Sequence, residues 1–213
     1  MDAMTTGPLL ASVRRHRTAL TLLAIALLLW LPDAALAHED QVLRLGSFWG
    51  GFLHPVLGLD HFLAMLSVGI VSAQIGGRAI WTVPSVFVGT MAVGFFIGRT
   101  EWDVMTAIEW GIVASVVILG AIIATGARIP IGWIYAAVGL FALFHGFAHG
   151  AETPSVANPP VYVAGFLIGT AAIHLLGVLI GEIAKRYRPG PAVLRVGGAA
   201  VSVLGVLFIV GVL

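Results

Sequence analysis

Long apolar runs separated by short polar breaks set the plan of this chain from residue 55 onward. The runs predict helices at 55–76, 79–98, 104–125, 130–149, 160–184 and 193–212. At ~1.5 Å per residue each is long enough to cross ~30 Å of hydrocarbon. The breaks are Gly76-Gly77-Arg78, Arg99 to Asp103, Gly126-Ala127-Arg128, Glu152 to Pro160 and Lys185 to Pro191. The expected fold is all-α, a polytopic membrane helix bundle of six transmembrane helices. Trp81, Trp102 and Trp133 fall near span ends, where interfacial indoles anchor a helix.

The segment ahead of these runs reads differently. Arg14, Arg15, His16 and Arg17 form a basic flank, Ala19 to Leu31 an apolar run, and Pro32 ends it. The run is short for a span of ~20 residues. Ala35-Leu36-Ala37 then offers a small-x-small cleavage site. Residues 1–37 are therefore expected to be a cleaved secretory signal peptide, with 38–213 the membrane domain; an uncleaved first helix is the alternative. With the mature N-terminus outside, Arg78, Arg128, Lys185, Arg186, Arg188 and Arg195 face the cytoplasm, against Arg44 and Arg99 outside. That asymmetry follows the positive-inside rule. It predicts a bacterial inner-membrane protein with N- and C-termini both periplasmic.

Composition agrees. Of 213 residues, 59% are hydrophobic and 10% charged, with a mean hydropathy of +1.03. A soluble domain carries roughly 25% charged residues, and disorder needs low hydrophobicity with high net charge. Both are excluded, which makes the lipid bilayer the main solvent. The net charge of +1, without a basic run, excludes a nucleic-acid partner. Cysteine is absent, so a bound metal must sit on nitrogen and oxygen, and seven histidines are available. The 27 glycines let helix backbones approach closely. Gly94-xxx-Gly98, Gly165-xxx-Gly169 and Gly177-xxx-Gly181 read as packing seams, which fix no oligomeric state.

Ionisable groups inside a bilayer cost roughly 2.5–3.5 kcal/mol each, so a cluster of them requires a reason. His54, Asp60 and His61 lie at the outer end of the first span. On a continuous helix a separation of seven residues is about 700°, which places the two imidazoles on one face. Pro55 would sit in the first helical turn with His54 near the cap. Asp60 would either orient a ring nitrogen or ligate directly. His145 and His149, at i and i+4 near the outer end of the fourth span, stack as paired metal ligands do. Glu152 continues that face only if the helix runs past Gly150, against Pro154. The first span runs inward and the fourth outward, so both clusters fall at the same depth. Glu109 in the third span and His174 in the fifth are candidates for a deeper relay. A core role is the commoner one for a lone His174, and a protonated Glu109 can equally bridge helices. His38, left at the new N-terminus by cleavage, either chelates through its α-amine and imidazole or has no role.

Imidazole with carboxylate and no sulfur suits a divalent transition ion rather than magnesium or calcium. From residue types alone, a zinc-dependent intramembrane hydrolase and a b-type haem protein also remain open.

At these residues the chain resembles the HupE/UreJ family of membrane nickel permeases. The family's first motif, His, five residues, Asp-His, is matched by His54, Asp60 and His61. Its second, Phe-His-Gly-x-Ala-His-Gly-x-Glu, is matched by Phe144, His145, Gly146, Ala148, His149, Gly150 and Glu152. Glu109 and His174 are similar to the family's intramembrane polar positions. The resemblance implies a secondary transporter, not an enzyme, that imports nickel or cobalt as substrate for hydrogenase or urease maturation. It implies no permanently bound cofactor. The chain shows no nucleotide-binding motif and no loop long enough for an ATPase domain.

Overall fold

The structure is a computed structural model, which describes residues 45–100, 103–153 and 158–212. The signal peptide expected at 1–37, His38, Arg44, Trp102 and Pro154 lie outside the described residues. Within them the chain forms seven helices and no strand: α1 Ser47–Leu57, α2 Leu59–Ile75, α3 Ala79–Gly98, α4 Met105–Thr125, α5 Ile131–Ala151, α6 Pro159–Lys185 and α7 Gly190–Ile209. Five, α3 to α7, are long and apolar enough to cross a membrane, and α1 with α2 makes a sixth as one bent span.

That bend corrects the expected straight helix over 55–76. α1 and α2 meet at an angle of 82° around Gly58, whose extended conformation (φ −83°, ψ 111°) cannot continue a helix. Pro55 lies inside α1 rather than in a first turn, and its missing N–H removes the bond to the Gly51 carbonyl. The chain stops one helix there and starts the next with Asp60 in the first turn, where a carboxylate is favoured. At the other breaks, Gly76, Gly77 and Gly126 adopt positive φ, which glycine tolerates without strain.

Glycines bring the helices together in pairs. On α3, Gly94 and Gly98 meet the Leu143 and Phe147 backbones of α5, while Gly146 and Gly150 of α5 meet the carbonyls of Met91 and Phe95. On α6, Gly165 and Gly169 meet Phe48 and Phe52 of α1, and Gly177 meets Leu66 of α2. The single long α6 thus carries both arms of the bent span. Contacts advance together in α1–α2 with α6 and in α3 with α5, so these pairs run parallel. They oppose in α4 with α7, where Gly198 meets Ala124 and Gly205 meets Val117. Alternating crossings of six spans require this relation. Where lipid supplies no hydrophobic drive between helices, such backbone contact is what joins them. Trp81 and Trp133 are exposed in the first turns of α3 and α5, as interfacial anchors require.

Candidate metal centre

The break at Gly58 and the C-terminal end of α5 face each other, and six polar residues converge between them. His54 comes from the last turn of α1, Asp60 and His61 from the first turn of α2, and His145 and His149 from successive turns of α5. Glu152 is the C-cap of α5, whose backbone N–H still bonds the Ala148 carbonyl. The helix runs past Gly150, which keeps Glu152 at the site.

The imidazoles form a series. The His54 and His149 ring centroids are 4.8 Å apart, His149 and His61 4.8 Å, and His61 and His145 4.9 Å. At the open end Glu152 Oε2 lies 3.6 Å from His54 Nε2. One ligand atom each from His54, His149 and Glu152 lies within 4.8 Å of the others. Metal–nitrogen bonds of ~2.0–2.1 Å place ligand atoms closer than that, so small side-chain rotations close this triad on an ion.

Hydrogen bonds set which nitrogens are available. His61 Nδ1 donates to Asp60 Oδ1 at 2.9 Å, and the same oxygen accepts the His61 backbone N–H at 2.7 Å. His145 Nδ1 lies 2.8 Å from the Phe141 carbonyl. A carbonyl only accepts, so this nitrogen carries the proton and Nε2 the lone pair. Both Nε2 atoms are buried without a hydrogen-bond partner among the described residues, as are both ring nitrogens of His149. Buried polar atoms are nearly always satisfied in folded proteins. Imidazoles fixed through Nδ1, with Nε2 left to accept, are the arrangement of metal ligands and their orienting partners.

Burial grades across the site. The Glu152 side chain is 46% exposed and that of His54 14%, whereas His145 and His149 are buried. The exposed carboxylate of Glu152 stands at the mouth and the buried imidazoles within.

His174 lies outside this series. It is buried on α6 with neither ring nitrogen partnered among the described residues, and the Phe87 ring stands 4.9 Å from it and 5.5 Å from His145. Glu109 is exposed on α4, so the structure does not bring it to the centre. Three aromatic neighbours had no signal in the sequence: Phe87, Phe166 against His149 at 5.2 Å, and Tyr162 against His54 at 6.0 Å. An aromatic in an apolar helix looks the same whether it meets lipid or a ligand site.

A family model described as HupE / UreJ protein matches residues 7–208. Protein HupE of Rhizobium leguminosarum bv. viciae is 41% identical over 192 residues, covering 90% of this chain and 96% of that one. No solved structure matches the chain.

Proposed function

The chain belongs to the HupE / UreJ family, and from that premise we propose that it is an inner-membrane permease for a divalent transition-metal ion, nickel first and cobalt as the alternative. One observation carries the reading: four imidazoles and two carboxylates from two separate parts of the chain converge at one end of the bundle, and ring nitrogens of His61, His145 and His149 have no hydrogen-bond partner among the described residues. Such a concentration of polar groups in a lipid-embedded protein marks an ion path.

The residues divide the work. Glu152 is the exposed charge that attracts a hydrated cation, and with His54 and His149 it replaces part of the hydration shell. His149, whose ring also approaches His61, passes the ion to the His61 and His145 Nε2 atoms. Asp60 holds His61 in its donor tautomer. Transport requires sites strong enough to admit the ion and weak enough to release it, and a series of partial sites meets that need better than one closed cage.

With the mouth outside, a potential of 100 mV, negative inside, drives a divalent ion inward by about 4.6 kcal/mol, twice the single-charge value. No nucleotide hydrolysis is then needed. The test is uptake of radioactive nickel by cells carrying His61→Ala or His149→Ala at undiminished membrane abundance. Uptake at background supports the assignment; normal uptake refutes it.

A further inference from the structure

One aromatic ring touches both the imidazole series and a buried imidazole outside it. Phe87, on α3, is fully buried, with its ring edge-on to His145 at 5.5 Å and to His174 at 4.9 Å. His145 belongs to the chamber in which its own Nε2 and that of His61 are buried with no hydrogen-bond partner among the described residues. His174 is the other ring that Phe87 touches, and its two ring nitrogens are buried with no hydrogen-bond partner among the described residues. Leaving a buried polar group unsatisfied is costly, so one imidazole with both nitrogens idle is expensive unless something comes to it.

Polar positions continue beyond His174 toward the opposite end of the bundle. Its carbonyl packs at Gly69 of α2. Further along the same helix come buried Ser72 and then Gln74. Gln74 lines a cavity of about 340 Å³, together with Val71, Ile122, Arg128 and Ile134. A vestibule edged by arginine disfavours a resident cation, as release requires. The molecule therefore has a polar chamber at one end, a cavity at the other, a lone imidazole between them and one phenyl ring in contact with both that imidazole and the chamber.

We propose that Phe87 is the gate of this path, closing the passage between the outer imidazole chamber and a second, inner cation station at His174. The proposal rests on the transport reading above. The closed ring excludes water and ions as a hydrophobic constriction does. Rotation of one side chain exposes His174 to the chamber without moving a helix. The edge-on contacts hold the ring weakly, since aromatic pairs of this kind add little beyond burial.

The chain contains no cysteine, so a single thiol reports accessibility without background. Full-length protein carrying His174→Cys is placed in membrane vesicles and treated with a trimethylammonium methanethiosulfonate, with labelling followed by mass. With Phe87 in place, the thiol at 174 should label at least tenfold more slowly than one introduced by Glu152→Cys. Phe87→Leu should raise the rate at 174 several-fold and Phe87→Ala at least tenfold, with the rate at 152 unchanged. Equal rates at 174 with Phe, Leu or Ala at 87 would overturn the gate. Phe87→Leu keeps most of the core volume and carries the test if Phe87→Ala does not accumulate as folded protein. Because the reagent reads an aperture and not a metal, a flat series sinks the gate alone. Nickel uptake in His61→Ala and His149→Ala judges the transport reading separately.

Discussion

Asp60 grips His61, its own neighbour in the chain, at two points: one carboxylate oxygen accepts both the ring Nδ1–H at 2.9 Å and the backbone N–H at 2.7 Å. The imidazole is thereby fixed in one tautomer and one orientation at the start of α2. Loss of an orienting partner typically lowers metal affinity by about 10–100-fold. Asp60→Ala should weaken nickel binding to purified protein within that range, read by equilibrium dialysis. Asp60→Asn keeps an accepting oxygen and should lose less. Equal affinity in all three proteins would show that Asp60 does not orient His61 for the ion.

Gly58 makes room for that grip. A Cβ there would stand 3.2 Å from both Asp60 Oδ1 and His61 Nδ1, while its φ of −83° is open to any residue. Gly58→Ala should therefore leave the helices intact by circular dichroism and weaken nickel binding, by less than Asp60→Ala does. A variant with unchanged affinity would separate the bend from the site.

The glycines of the second motif act through packing. A Cβ on Gly146 would fall on the Met91 carbonyl of α3, whereas one on Gly132 of the same helix meets nothing within 4 Å. Gly146→Ala should destabilise the protein by about 1–3 kcal/mol, the usual cost of overpacking. Gly132→Ala should be neutral or slightly stabilising, since alanine is the better helix former. Thermal unfolding in detergent, run on both variants, checks the contrast.

An ion that binds the folded chain stabilises it. At a free concentration ~100 times Kd the gain is about 2.7 kcal/mol. Nickel should raise the unfolding temperature of the protein by several degrees, and a chelator should reverse the rise. His149→Ala removes the imidazole shared by the outer triad and the inner pair, and should abolish the shift. A full shift in His149→Ala would place the ion elsewhere.

How far the site could be read before the structure depended on which helices stay regular. His145 and His149 stack because α5 is unbroken through Ala151, so spacing alone was sufficient. The same arithmetic was wrong for His54 and His61. They share no helix face, because an 82° bend separates them; His149 stands between the two rings instead. Gly58, shortly after Pro55, was the available sign of that break. Membrane spans were legible because apolar length is a direct physical requirement, and the glycine seams because small residues are needed where backbones touch. Phe87 was not legible: in a helix apolar on every side, no periodicity says which aromatic faces inward.

The same uniformity explains Glu109, which reads from sequence like a buried relay but is exposed on α4. The turn around it points its apolar neighbours inward: Ile108 and Ile112 pack with Phe147 and Ala148 of α5, and adjacent Trp110 is 54% exposed. Near the end of a span, a carboxylate on that face reaches the headgroup region, where charge is tolerated. A Glu109→Gln change removes its charge without altering its size. Nickel affinity should then stay within about twofold of the parent, because none of the convergent donors is touched. Uptake should stay at the parent level too, provided that membrane abundance is matched by immunoblot. Loss of uptake with binding preserved would instead place Glu109 on the ion's route after the outer chamber, by a path that does not pass Phe87.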